Sequence, residues 1–211
     1  MFHRRARLSR TVSLALLAGL LVAAPTPAQA ESQVSLDPRS DMMWVHTPPD
    51  DDNDSTPPHV LHWAPQQTNR DIVRSRIRHT SSRVQLRITF ADLRRTGAFN
   101  QYDVYLVTNE GVERWVTIFT GPGRWAGEFY TEGYPRNTRC ALHRAVDYAA
   151  NVVVIGFPRR CVGHPRWIRV ATGTSGGGDQ EEDYFYDDAL RRGLDPLRPD
   201  QWRLSPRVGR G

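Results

Sequence analysis

The sequence feature that most constrains the fold is a strict alternation of apolar and polar residues between positions 84 and 90. The apolar members are Val84, Leu86, Ile88 and Phe90, and one polar residue stands between each neighbouring pair. A period of two is typical of a β-strand with one buried face. Similar short runs follow one another from residue 71 to residue 172, and none has the 3.6-residue period of a helix. The sequence therefore predicts an all-β domain.

Two hairpins are expected within this region. Residues 72–79 fold back at Ser81-Ser82, and the register that buries the apolar residues gives the inner pairs Ile77–Leu86 and Val73–Phe90 and the outer pairs Arg76–Arg87 and Arg74–Thr89. A second hairpin joins residues 102–108 to 112–120 through a turn in which Gly111 accommodates positive φ. With further strands at 125–131 and 167–171, about eight strands are expected.

We therefore predict an antiparallel β-sandwich, immunoglobulin-like or jelly-roll-like, over residues 67–175. The two flanking segments are expected to be irregular. Residues 31–66 are rich in Pro and Asp, with one edge strand at 59–63. Residues 176–211 are expected to form a Gly-rich acidic loop, a short helix capped by Asp187 or Asp188, and an Arg/Pro tail whose last fifteen residues are disordered.

The first thirty residues have the pattern of a secretory signal peptide. Arginines up to Arg10 precede an apolar run over 12–24, which is shorter than the roughly twenty residues that span a bilayer. The Ala28-Gln29-Ala30 tripeptide then offers a cleavage site after Ala30. The expected mature protein is secreted, without a transmembrane segment.

Removal of this segment changes the charge. All 28 basic residues of the chain are arginines, and the first thirty residues carry four of them and none of the 23 acids. The net charge therefore falls from +5 to +1 when this segment is removed. A nucleic-acid partner normally requires a strong basic excess, so nucleic acid is not expected as a partner.

Two cysteines, Cys140 and Cys161, are expected to form a disulfide in an oxidising compartment. Predicted strands at 139–148 and 151–158 flank a tight turn at 149–152. The predicted register places Cys140 opposite Cys161, Val146 opposite Ile155 and Tyr148 opposite Val153.

Three short segments carry a resemblance to a known group of proteins. They are Asn69-Arg70-Asp71-Ile72, the strand over 84–93 that closes with Asp92-Leu93, and the segment CVGHPRWIRV over 161–170. Over about residues 34–190 the chain resembles small, uncharacterised secreted actinobacterial proteins. The resemblance implies export and an all-β sandwich, and it implies no catalytic residue.

Ser175 is the weak candidate for a catalytic nucleophile. Residues 173–177 read Gly-Thr-Ser-Gly-Gly, which matches both the G-x-S-x-G elbow and the G-x-S-G-G of trypsin-like proteases. The elbow needs a strand–turn–helix context, and the protease motif needs an oriented His–Asp pair and further strands. The available histidines lack such a setting and are His46, His59, His62, His79 and His143. The alternative is a flexible Gly/Ser loop that leaves the last strand.

Two acidic groups are candidates for Ca²⁺, which prefers oxygen ligands. One consists of Asp50, Asp52 and Asp54, although the Gly and Glu that an EF-hand loop needs are absent there. The other consists of Asp37 and Asp41 at the sandwich edge. A zinc site built from His46, His59 and His62 lacks a fourth ligand of suitable spacing. No other cofactor is expected.

The predicted outer face of the first hairpin carries Arg74, Arg76, Arg78 and Arg87. Like charges across a ladder are unfavourable, so an anion is expected to neutralise them. It is either the acidic C-terminal segment or an external polymer; the alternative is that the arginines are simply solvated. Trp115 and Trp125 are either exposed sugar-stacking platforms or core residues.

Three functions follow from these observations. The leading one is a secreted, non-catalytic interaction module of the cell exterior or envelope. The second is a domain that binds carbohydrate, a cell-wall polysaccharide or another anionic polymer, assisted by Ca²⁺. The third is a serine hydrolase centred on Ser175.

Overall fold

The computed structural model describes residues 31–46, 60–133, 140–177, 183–190 and 203–211. These residues form strands and no helix, and the strands are β1 (Glu31–Leu36), β2 (Met43–His46), β3 (Val60–Trp63), β4 (Ile72–His79), β5 (Arg83–Phe90), β6 (Asn100–Thr108), β7 (Glu113–Thr120), β8 (Glu128–Glu132), β9 (His143–Asp147), β10 (Val152–Pro158), β11 (Trp167–Gly177), β12 (Asp183–Asp188) and β13 (Val208–Gly209). The predicted all-β class is confirmed.

Two antiparallel sheets form the sandwich. The five-stranded sheet has the order β1-β4-β5-β10-β9, and the eight-stranded sheet has the order β3-β2-β12-β11-β6-β7-β8, with β13 paired to β11. Their inner faces supply one buried cluster, which includes Leu86 and Ile88 of β5, Leu106 of β6 and Val170 of β11. Burial of one such side chain stabilises the fold by about 1.5–3 kcal/mol.

The β4–β5 register agrees with the prediction along most of its length, in the pairs Ile77–Leu86, Arg76–Arg87 and Arg74–Thr89. The end of the hairpin differs, because a bulge between Ile72 and Arg74 places Ile72, and not Val73, opposite Phe90. The amide of Ile72 donates a hydrogen bond to Asp187 Oδ2 at 2.6 Å. The predicted Val73–Phe90 pair is therefore wrong.

The predicted disulfide is confirmed, but the register predicted around it is wrong. Cys140 and Cys161 are bonded, with their Cα atoms 5.7 Å apart. The β9–β10 ladder pairs Val146 with Val153, a shift of two residues from the prediction. The reason is the turn, since the carboxylate of Asp147 accepts hydrogen bonds from the amides of residues 149 and 150 and closes a longer connection.

The chain after residue 172 is more regular than expected. Strand β11 continues to Gly177, so the predicted flexible loop at 173–177 is wrong. The short helix predicted to begin at Asp187 or Asp188 and to run through Leu190 is wrong. Asp188 ends β12, and its Oδ1 accepts a hydrogen bond from the amide of Leu190 in a turn. The disorder expected for the tail is wrong for 203–211, where Val208 is buried in the β13–β11 pair.

Segments before residue 67 also join the sheets. Strand β1 lies at the edge of the five-stranded sheet, and β3 lies at the edge of the eight-stranded sheet, as predicted for 59–63. The predicted signal peptide at 1–30 lies outside the described residues. Within the described ranges, no helix has the length and apolar character needed to cross a membrane.

Candidate functional site

The outer surface of the five-stranded sheet carries four arginines, and we call this surface the arginine face. Arg74, Arg76 and Arg78 alternate along β4 and are exposed, while Ser75 and Ile77 between them are buried. Arg87 projects from β5 on the same side. The alternation that buries one side of β4 therefore exposes all four cations on the other, as the sequence predicted.

Charges of the same sign lie directly across the ladder on this face. Arg76 is the cross-strand partner of Arg87, and on its other side Arg76 faces Val34 of β1. Like charges in this position destabilise a sheet. No carboxylate among the described residues forms an ion pair with any of the four arginines of this face. Two neighbours on β1, Val34 and Leu36, are exposed apolar side chains.

A shallow groove follows the arginine face. Its central part is lined by Arg76, Arg78, Arg87, Gln85 and Val154. It continues past Arg74 and Thr89 in one direction. In the other direction it reaches Arg83, Arg160 and His143. The described lining contains no Asp or Glu, so the groove presents cations along its whole length.

The predicted internal neutralisation by the acidic C-terminal segment is not found in the described part of that segment. Strand β12 (Asp183–Asp188) pairs with β11 and β2 in the eight-stranded sheet. Asp187 is buried and accepts a hydrogen bond from the amide of Ile72. The other acids of that segment, residues 179–182, lie outside the described residues.

A second constellation lies where the chain passes from one sheet to the other. Asp37 and Asp41 belong to the loop between β1 and β2, and Asp187 belongs to β12. One carboxylate oxygen from each residue lies within 4.8 Å of the other two. Asp37 is 8% exposed, Asp41 1% and Asp187 0%. The sequence predicted the Asp37–Asp41 pair; it did not predict Asp187 as the third member.

Burial and mutual repulsion act on these carboxyl groups. Burial, followed by the charges of Asp187 and Asp41, raises the pKa of Asp37 to about 10. Burial also raises the pKa of Asp187 well above its usual value, against hydrogen bonds from the amides of Ile72 and Asp188. The pKa of Asp71 is likewise raised, chiefly by burial. The cluster therefore holds negative charge only at a high electrostatic cost.

The other predicted metal ligands are not brought to this place. Asp50, Asp52 and Asp54 lie outside the described residues, as do His59 and the side chain of His46. The remaining residue of the predicted zinc site, His62, stacks on Trp44 with the ring centres 5.0 Å apart.

Ser175 lies within strand β11 and is 7% exposed. Its cross-strand neighbours are Gln101 and Tyr186, and neither is a general base of the kind that activates a serine. The adjacent Gly176 has a structural explanation. A Cβ atom at Gly176 would lie 2.5–2.7 Å from three guanidinium atoms of the buried Arg70. Gly176, the fourth residue of the motif, therefore leaves room for the guanidinium of Arg70.

Arg70 is buried, and its structural role was not predicted from the sequence. Its guanidinium donates a hydrogen bond to Asn100 Oδ1, and burial lowers its pKa to about 10. The hydroxyl of Thr174 donates to the carbonyl of Arg70 at 3.1 Å. Because Asn100 begins β6 and Thr174 belongs to β11, these contacts hold both strands against the loop that precedes β4.

Trp115 and Trp125 do not form one site. Trp115 lies on the outer side of β7, half-buried, and its indole N–H donates to Asp103 Oδ1 at 3.3 Å and to Thr117 Oγ1 at 3.1 Å. Trp125 lies between β7 and β8, edge-on to Tyr148. The arginine face belongs to the other sheet from Trp115, so the residues predicted to bind one ligand are distributed over opposite sides of the sandwich.

Comparison with known proteins adds no information about the site. The sequence matches no family profile, and a search of curated proteins gives no match.

Proposed function

We propose that this protein is a secreted, non-catalytic β-sandwich that binds an anionic polymer of the cell envelope through the arginine face. The predicted signal peptide, the Cys140–Cys161 disulfide and the resemblance to secreted actinobacterial proteins support the location. The chemistry of the arginine face supports the ligand class.

The observation that carries the proposal is the direct opposition of Arg76 and Arg87, without a carboxylate partner among the described residues. The two positive charges repel each other in the free protein, and an anion bound between the side chains is expected to relieve this repulsion. Arginine suits this role because its planar guanidinium makes paired hydrogen bonds to phosphate or carboxylate oxygens.

The spacing favours an extended polymer over a single small anion. Arg74, Arg76 and Arg78 occupy alternate positions of β4, so the Cα atoms of successive arginines are about 6.6–6.8 Å apart along the strand. The groove passes all three and continues beyond them. A chain with regularly repeated phosphate groups matches this row. The net charge of +1 without the first thirty residues favours such a local contact over nucleic-acid binding.

The test is a calorimetric titration of the mature protein with poly(glycerol phosphate), and neutral dextran is the control polymer. We expect the protein to bind poly(glycerol phosphate) and not to bind dextran. Binding is expected to weaken as salt is added, because the contacts are between charges. Arg76→Glu is expected to reduce affinity at least about tenfold, which is about 1.4 kcal/mol.

The matched control is Arg166→Glu, which makes the same change in net charge at an exposed position before β11. We expect it to bind like the unmodified protein. An equal loss in both variants would show that only overall charge matters, and absence of binding by the unmodified protein would refute the proposal.

A further inference from the structure

The cluster of Asp37, Asp41 and Asp187 lies where parts of both sheets meet. Strand β1 belongs to the five-stranded sheet, and β2 and β12 are neighbours in the eight-stranded sheet. The loop that carries Asp37 and Asp41 is the crossover between the sheets. The amide of Asp37 donates to the carbonyl of Val73 at 3.2 Å, which fixes this loop against β4.

Asp187 is held in a defined orientation by the protein. Its Oδ2 accepts a hydrogen bond from the amide of Ile72 at 2.6 Å, and its Oδ1 accepts one from the amide of Asp188 at 2.8 Å. Each oxygen retains further acceptor capacity, because a carboxylate oxygen has two lone pairs. The protein therefore orients this carboxylate toward Asp37 and Asp41 without exhausting it.

Asp37 supplies the second and independent observation. Asp37 is more than nine-tenths buried, and neither of its carboxylate oxygens has a hydrogen-bond partner among the residues that the structure describes. Buried polar groups are almost always partnered, and a buried charge normally requires an opposite charge. The charges that shift its pKa are all those of acids, since Asp187, Asp41, Asp188 and Asp71 repel its charge. The side chain therefore faces a cluster whose negative charge a bound cation would neutralise.

The ligand atoms select the kind of cation. They are carboxylate oxygens, whereas structural zinc sites are built from Cys and His. Ca²⁺ binds oxygens at about 2.3–2.6 Å, so two ligands on opposite sides of one ion are about 4.6–5.2 Å apart. The limit of 4.8 Å between the oxygens of the cluster agrees with one coordination sphere. Mg²⁺ is less suitable, because it keeps several waters and these residues are buried.

We propose that Asp37, Asp41 and Asp187 bind one Ca²⁺ ion, which fastens the β1–β2 crossover to β12 and so joins the two sheets. The proposal does not depend on polymer binding, because the cluster and the arginine face share no residue. The competing arrangement is a set of carboxyl groups neutralised by protons.

The experiment is calorimetric titration of EDTA-treated, dialysed protein with CaCl₂ at neutral pH, with parallel melting curves. We expect saturable binding of one ion per chain at about millimolar concentration or below, as in extracellular Ca²⁺ modules. We also expect Tm to rise with CaCl₂ concentration, because the ion binds only the folded chain.

Asp37→Asn is expected to weaken Ca²⁺ binding at least tenfold, and Asp41→Asn provides a second variant if the first fails to fold. The matched control is Asp147→Asn at the exposed end of β9, which preserves the acceptor oxygen and is expected to leave Ca²⁺ affinity unchanged. Competition between Tb³⁺ and Ca²⁺ for the unmodified protein provides a readout that requires no variant.

Absence of saturable Ca²⁺ binding and of any Ca²⁺-dependent change in Tm would overturn the proposal. A more stable Asp37→Asn variant, combined with an unmodified protein that does not respond to Ca²⁺, would show that protons neutralise the cluster.

Discussion

Substitution of Arg87 by Glu is expected to change stability and ligand binding in opposite directions. The change replaces a repulsive cross-strand pair with Arg76 by an attractive one. Each such interaction amounts to about 0.2–1 kcal/mol, and exposed pairs lie toward the lower end. The combined gain in the free energy of unfolding is therefore about 0.5–1 kcal/mol, which for a chain of this size raises Tm by about 1–4 °C.

The assay is thermal unfolding, followed by circular dichroism, at ionic strengths of about 0.01 M and about 1 M, where the screening length falls from about 30 Å to about 3 Å. Arg87→Gln removes the repulsion without adding an attraction and is expected to give about half of the increase. The same Arg87→Glu protein is expected to bind poly(glycerol phosphate) more weakly. An unchanged or lower Tm at low salt, or an increase that persists at high salt, would refute the reasoning.

Three further predictions concern the rest of the molecule. Replacing both Cys140 and Cys161 by Ser is expected to lower the free energy of unfolding by about 3 kcal/mol, measured by urea titration, because the unfolded chain loses a constraint; unchanged stability would contradict this. Gly176→Ala is expected to lower the free energy of unfolding by about 1–3 kcal/mol in the same titration, because the new Cβ atom meets the buried Arg70. Gly156→Ala is the control, because a Cβ atom there makes only ordinary contacts. Equal losses of stability in the two variants would contradict this explanation. In EDTA, the free energy of unfolding is expected to fall as pH rises from about 4 toward 10, because the pKa of Asp37 is higher in the folded chain than in the unfolded chain. Urea titrations across this pH range measure the effect. Added Ca²⁺, or the Asp37→Asn substitution, is expected to make the free energy of unfolding less dependent on pH.

The β4–β5 hairpin was predictable because local information determines it. Alternation identifies the buried side of each strand, and a register error of one residue would reverse both sides. The four arginines of this hairpin were therefore placed correctly on one outer face. The end of the hairpin escaped prediction because the bulge at Ile72 depends on Asp187, a residue 115 positions away.

The same distinction explains the other differences. The β9–β10 register was set by one carboxylate, Asp147, whose capping of the turn competes with the tighter connection that apolar pairing favours. Residues 173–177 were expected to form a loop because Gly and Ser have low strand propensity. They form a strand because they pair with β6 on one side and with β12 on the other, and Gly176 leaves room there for the buried Arg70. These partners could not be predicted from the sequence, because both pairings depend on tertiary structure.

The acidic cluster was half predictable. Asp37 and Asp41 are close in sequence, and their separation by a short loop with a proline indicated a common site. Asp187 reaches them only because β12 pairs with β2, and this pairing joins two segments that were both expected to be irregular.

The disulfide has a consequence for association between molecules. Strand β9 is the outermost strand of its sheet and has five residues, so it is weakly held by its ladder. If β9 detached, the backbone of β10 would become an open edge able to pair with another chain. Because Cys140 precedes β9 and Cys161 follows β10, the bond keeps the detached strand beside its own partner. Oxidation of the two thiols is thus a protection against aggregation as well as a source of stability.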